Sequence, residues 1–238
     1  YMRNPYLNDP ATTGISYYNK DELYKYCKKA HDSGMQIAIH CIGDAALEEV
    51  LEVYRKIQWE NPRTDCRHGV VHCQIMDQKQ QDEFQKMNVL GYVQPIFLRC
   101  DMNIVDECVG EKLAKQSYNW RRFIDEGVHI SGGTDCPVES FDIIPNIQYA
   151  VTRKNFDIDK EWYPENSVTI EEAIKMFTIE GAFASFAERT RGTLSIGKET
   201  DMVVLDKNLL ETPSDEINSV KVLATIVKGK TVFAHSII

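Results

Sequence analysis

The chain has 238 residues, 43% of them hydrophobic, 26% charged and 10% aromatic, which is enough apolar material for one sizeable core. Its 36 acidic and 27 basic residues leave a net charge of −9, which argues against nucleic acid or an anionic membrane as a partner. No apolar run approaches the roughly 20 residues of a membrane span. The start, YMRNPYLNDP, is not a secretory leader, and seven scattered cysteines make no Cys-x-x-Cys pair, so free thiols in the cytoplasm are expected. The lack of Met at position 1 suggests a processed or artificially cut chain.

Residues 1–19 carry Pro, Asn, Asp, Gly and Tyr without a period and are expected to be loop. The sequence NKDELYKYCKKAHDSG then predicts a helix, opened by an Asn19–Glu22 capping box and stopped by Gly34. Four short apolar runs follow: QIAIH (36–40), GVVH (69–72), VLGYVQP (89–95) and VHISGGTD (128–135). Each leads into helical material, namely a helix opened by Asp44, then QKQQDEFQKM, YNWRRFIDEG and IIPNIQYAV. Short apolar strands alternating with amphipathic helices indicate a parallel sheet covered by helices. A closed (β/α) barrel needs eight such units over about 250 residues. The expected fold is therefore α/β, a partial TIM-type barrel of four βα units over residues 1–190. A further helix begins at Thr169, with Glu172 completing a capping box and a break near Gly181. From Arg191 the texture changes to GTLSIGKETDMVVLD and VLATIVKGKTVFA, so residues 191–238 are expected to form a small β appendage ending in a hairpin.

Three of the four strand runs end in a side chain able to ligate a metal: His40, His72 and Asp135. Parallel α/β folds gather ligands at the carboxyl ends of their strands, and imidazole with carboxylate suits zinc and similar ions. A single histidine at such a place is usually structural; three at equivalent places point to one metal site. His68 lies about 13 Å from His72 along the same strand, too far to share an ion. His31 falls at a helix C-terminus, where a cation is favoured. His129 begins a strand far from its functional end, and His235 is in the tail. Cys41, Cys73 and Cys136 directly follow the candidate ligands, but alternation turns neighbours to opposite faces, so small buried fillers are the expectation. Ile37, Ile39, Val71 and Val93 are expected to line the inner face of the partial barrel.

The segments HCIGDAA (40–46), RHGVVHCQ (67–74), the YVQP strand, GGTDCPVE (132–139), AVTR (150–153) and GTLSIGKETDMVVLD (192–206) occur in that order. Together they resemble the YtcJ-like branch of the amidohydrolase superfamily, over about residues 17–234. The resemblance implies a (β/α)8 barrel with a small β-sandwich, the four strands here matching the fifth to eighth. It implies His40 and His72 as metal ligands, and Asp135 as a ligand and proton shuttle. The implied cofactor is zinc or another divalent ion, which lowers the pKa of bound water from 15.7 toward ~7. Asp44 is either an acceptor that orients His40 from behind or a plain helix N-cap. Gln94 and Arg153 are candidate substrate contacts, with a surface role equally open for Arg153. Val71 stands where the family usually has Glu. The first-strand His-x-His pair and the bridging strand-four residue of the family have no match in these residues.

The expected activity is hydrolysis of C–N bonds in amide or cyclic amide substrates, with the chain as given catalytically incomplete and its metal weakly held. Small-molecule substrates are expected as partners, together with a second copy of the chain, because four barrel strands leave open edges that drive association, most often as a twofold dimer. The rival readings are a regulatory or binding protein that keeps the fold without the chemistry, and a structural fragment.

Overall fold

A computed structural model of the protein describes residues 1–235, so the last three residues of the expected β appendage lie outside it. The chain forms two compact units, one made of residues 1–93 and 100–130, the other of residues 94–99 and the remainder.

In the first unit, residues 1–19 form no helix or strand. Helix α1 (Lys20–Asp32) opens on the reciprocal Asn19–Glu22 capping box and buries Leu23, Cys27 and His31, one face at a spacing of four. Strand β1 (Ala38–Cys41) leads into α2 (Asp44–Glu60), whose Leu47, Val50, Leu51, Tyr54 and Ile57 form the buried stripe. Strand β2 (Gly69–His72) is followed by α3 (Gln78–Met87), opened by an Asp77–Gln80 capping box and closed by Asn88 in the left-handed region. Strand β3 (Leu90–Val93) completes a parallel trio, and short helices α4 (Leu98–Asp101), α5 (Val105–Val109), α6 (Glu111–Ala114) and α7 (Trp120–Asp125) lead to β4 (Ile130–Gly132). The sheet order is β1-β2-β3-β4. This is an α/β fold with a parallel sheet.

The register aligns Ala38 with Gly69 and Leu90, and His40 with Val71 and Tyr92. Alternation places these side chains on one face, where Ala38 and His40 are exposed and Val71 and Tyr92 half-buried. The opposite face carries Cys41, Val70 and Val93, all buried. Of the four residues expected on the inner face, only Val71 shares the face of His40; Ile37, Ile39 and Val93 have the wrong parity. Gly69 is required there, because a Cβ would sit 2.2 Å from the Tyr92 ring.

His31 and His68 form a buried pair. The Ile37 amide donates to His68 Nδ1 at 3.1 Å, so the His68 proton sits on Nε2 and faces His31 Nδ1 at 2.8 Å. The His31 proton is thereby placed on Nε2, 2.7 Å from the Asn61 carbonyl oxygen. His31, at the end of α1, is wholly buried and binds three segments together.

In the second unit, α8 (Ile144–Thr152) precedes a small ribbon of β5 (Lys154–Asn155) and β6 (Lys160–Glu161). Helix α9 (Ile170–Met176) opens on the Thr169–Glu172 capping box, and α10 (Ile179–Ala184) follows after a break at Phe177–Thr178 rather than at Gly181. Strands β7 (Met202–Leu205), β8 (Val222–Val227) and β9 (Lys230–Ala234) form an antiparallel sheet, with β8 and β9 as the expected hairpin. Among the described residues, no helix is long and apolar enough to cross a membrane.

Burial, reinforced by His31 and Arg63, pushes the His68 pKa down to about 4 from its ordinary 6.5. As pH falls below 6.5 the unfolded chain takes up a proton at His68 that the folded chain resists until near 4, so stability is lost across that window. Thermal unfolding between pH 7.5 and 4.5 should show this fall in Tm, and His68→Gln, though less stable at neutral pH, should show a flatter pH dependence.

Candidate metal centre

The ends of β1 and β2 bring His40 and His72 together, with ring centroids 4.4 Å apart and planes at 79°. A regular strand would not do this, because the register pairs His72 with Cys41 on the opposite face from His40. The alternation is broken at His72 (φ +80°) and Cys73 (φ +52°), both in the left-handed region. Such conformations cost on the order of 1–3 kcal/mol each and persist where the surroundings impose them. Here they end the strand and turn the His72 ring toward His40. Cys73 is directed inward, its thiol 3.1 Å from the Val70 carbonyl oxygen. Cys41 is likewise buried, and burial pushes its thiol up to about 12. These two are the expected inert fillers; Cys136 is exposed and is not.

The segment after His72 builds a polar group that sequence reasoning missed. Asp101, at the end of α4, accepts a 2.6 Å hydrogen bond from the Tyr118 hydroxyl and a 3.2 Å one from Gln74 Nε2. The Tyr118 amide in turn donates to the Gln74 carbonyl oxygen at 2.9 Å. Burial raises the Asp101 carboxyl above its ordinary range, opposed by the Tyr118 hydrogen bond and by the nearby His72. Asp101 and Tyr118 lie in a stretch of short helices without a strong period, so no local signal singles them out. Tyr118→Phe should raise the Asp101 pKa further, which a carboxyl-carbon NMR titration would read; an unchanged midpoint would deny that the hydroxyl holds the carboxylate.

The other expected site residues fall as follows. Asp135 follows β4 in the second unit, exposed, with φ +57°. Asp44 is buried and is the first residue of α2, whose N-cap is Gly43; its Oδ1 accepts the Arg3 amide at 2.8 Å. Gln94 is buried and precedes a short 3-10 turn at residues 95–97. Arg153 is not a surface residue: it is wholly buried, its Nε donates to the Trp162 carbonyl oxygen at 3.0 Å, and its guanidinium lies over the Trp162 ring. Those contacts make it a core residue of the second unit, which corrects the surface alternative. Among the described residues, no group of three or more His, Cys, Asp or Glu side chains is close enough to hold a metal ion. The two imidazoles fit zinc or a similar ion in kind, but fall short of a complete ligand set in number.

The parallel sheet makes this an α/β protein, a class in which ligands bind at the carboxyl ends of the strands. The amidohydrolase family model matches residues 1–233, and the chain belongs to that family. The YtcJ amidohydrolase of Bacillus subtilis is 29% identical over 237 residues, covering 99% of this chain and 44% of that protein. An N-substituted formamide deformylase of Arthrobacter pascens is 25% identical, covering 91% of this chain and 40% of that protein. The crystal structure of an uncharacterized metal-dependent hydrolase from Pyrococcus furiosus matches with a TM-score of 0.76 at 27% identity, covering 88% of this chain and 42% of that one. The chain thus spans less than half the length of these relatives.

Proposed function

We propose that this chain is part of a metal-dependent hydrolase of C–N bonds in amides or cyclic amides, with His40 and His72 as metal ligands and Asp135 as ligand and proton carrier. The observation that carries the reading is the His40–His72 ring contact at the ends of adjacent parallel strands. Family membership supports it, as does the relative named for deformylating N-substituted formamides, a C–N cleavage. In this reading β1 to β4 are strands five to eight of a (β/α)8 barrel, and β7 to β9 belong to its small β domain.

A divalent ion, when bound, supplies Lewis-acid polarisation of the carbonyl and an acidified water. The imidazoles of His40 and His72 would hold it through their ring nitrogens. The carboxylate of Asp135 takes the proton of the attacking water and returns it to the departing amine nitrogen, so that protons balance across the cleavage. No His-x-His occurs in the 238 residues, so the remaining ligands that the resemblance implies have to come from outside them. The substrate is a small amide-type molecule, and the exposed edge of β1 suits association with a second copy.

In the whole-length protein loaded with zinc, hydrolysis of N-formyl and cyclic amide substrates should fall about 10²–10⁴-fold in kcat for Asp135→Asn. An undiminished kcat would remove Asp135 from the chemistry. The 238 residues alone should retain less than one zinc per chain after dialysis and show no turnover; tight equimolar zinc would mean a complete site within them.

A further inference from the structure

Arg3 joins the starts of the two helices that follow the histidine strands. Its backbone amide donates to Asp44 Oδ1 at 2.8 Å, its Nε to a Glu48 carboxylate oxygen at 2.6 Å, and one terminal nitrogen to Asp77 at 2.7 Å. That same nitrogen lies 3.8 Å from the second Asp44 oxygen. Asp44 and Glu48 belong to the first turns of α2, and Asp77 is the N-cap of α3. Only Ile42 and Gly43 separate β1 from α2. The two loops are also tied directly, the Ile75 amide donating to the Ile42 carbonyl oxygen at 2.9 Å and Gln80 Nε2 to the Asp44 carbonyl oxygen at 2.7 Å.

The residues beside Arg3 are fitted to the same place. The Tyr1 carbonyl oxygen accepts the Ala46 amide at 3.2 Å, and Met2 is buried. At Gly43 a Cβ would lie 2.1 Å from that carbonyl oxygen, so only glycine allows the contact. An ordinary exposed ion pair contributes little and needs one partner. Here one planar fork meets three carboxylates on two helices, a geometry that fixes positions more than it adds stability.

We propose that Arg3 is a positioning residue: by holding the starts of α2 and α3 at a set spacing, it sets the separation of the His40 and His72 rings. The inference rests on the metal reading for its purpose, though not for its geometry. It also gives Asp44, within HCIGDAA, a role as the anchor of Arg3.

The test uses the full chain and its histidine ring NMR signals, without metal and then with zinc. Arg3→Met keeps the apolar stem and removes the fork; the His40 and His72 signals should shift or broaden, while those of His31 and His68 stay in place. Arg3→Lys, with charge but no fork, should fall between, and zinc affinity should drop about tenfold in Arg3→Met. Unmoved His40 and His72 signals would overturn the proposal, and so would equal changes in all four rings, which would mark a general loss of fold. If zinc leaves His40 and His72 unaffected in the unsubstituted protein, the metal reading fails, while the metal-free ring shifts still decide the role of Arg3.

Discussion

The arrangement depends on how β2 ends. Two side chains on neighbouring parallel strands meet only if they share a face, and the register of β1 and β2 gives His40 and His72 opposite parity. Two consecutive residues in the left-handed region, His72 and Cys73, resolve the conflict by stopping the strand and turning the second ring. The unfavourable backbone is held from both sides: the Cys73 thiol is fixed against Val70, and beyond it the Gln74 carbonyl oxygen accepts the Tyr118 amide. Backbone strain of this kind gathers at functional sites, in keeping with the metal role proposed for the pair.

Around this point the first unit sorts its polar groups by depth. The His31–His68 chain lies at the amino ends of the strands, buried and uniquely directional, and joins α1 to the segments entering β1 and β2. The Arg3 fork lies beyond the carboxyl ends, partly exposed, and joins α2 to α3. One end of the sheet is thus fixed by hydrogen bonds that water cannot replace, the other by charges that water partly screens. In parallel α/β folds the carboxyl end is where ligands bind.

Much of this was legible in the sequence because the signals are local. GVVH and QKQQDEFQKM coincide with β2 and α3, and the Asn19–Glu22 and Thr169–Glu172 boxes sit at the predicted helix starts. The face of His40 was also implicit: with His40 facing inward, Ile37 and Ile39 cannot, and alternation alone would have corrected that expectation. Other features have no local signal. The helix break falls at Thr178, whose hydroxyl donates to the Ile174 carbonyl oxygen at 2.7 Å and competes with the backbone ladder, so the visible Gly181 misleads. The β5–β6 ribbon has two residues per strand, too few for a period. Arg153 over Trp162, Asp101 behind Tyr118 and His31 against His68 are pairings made by tertiary folding, which no local pattern announces.

The central claim is that His40 and His72 act together as metal ligands. Zinc-edge X-ray absorption on the chain with stoichiometric zinc tests it most directly. Two imidazole nitrogens at about 2.0–2.1 Å are predicted, falling to one in either His40→Ala or His72→Ala. A spectrum of oxygen scatterers alone, or one unchanged by both substitutions, would contradict the account.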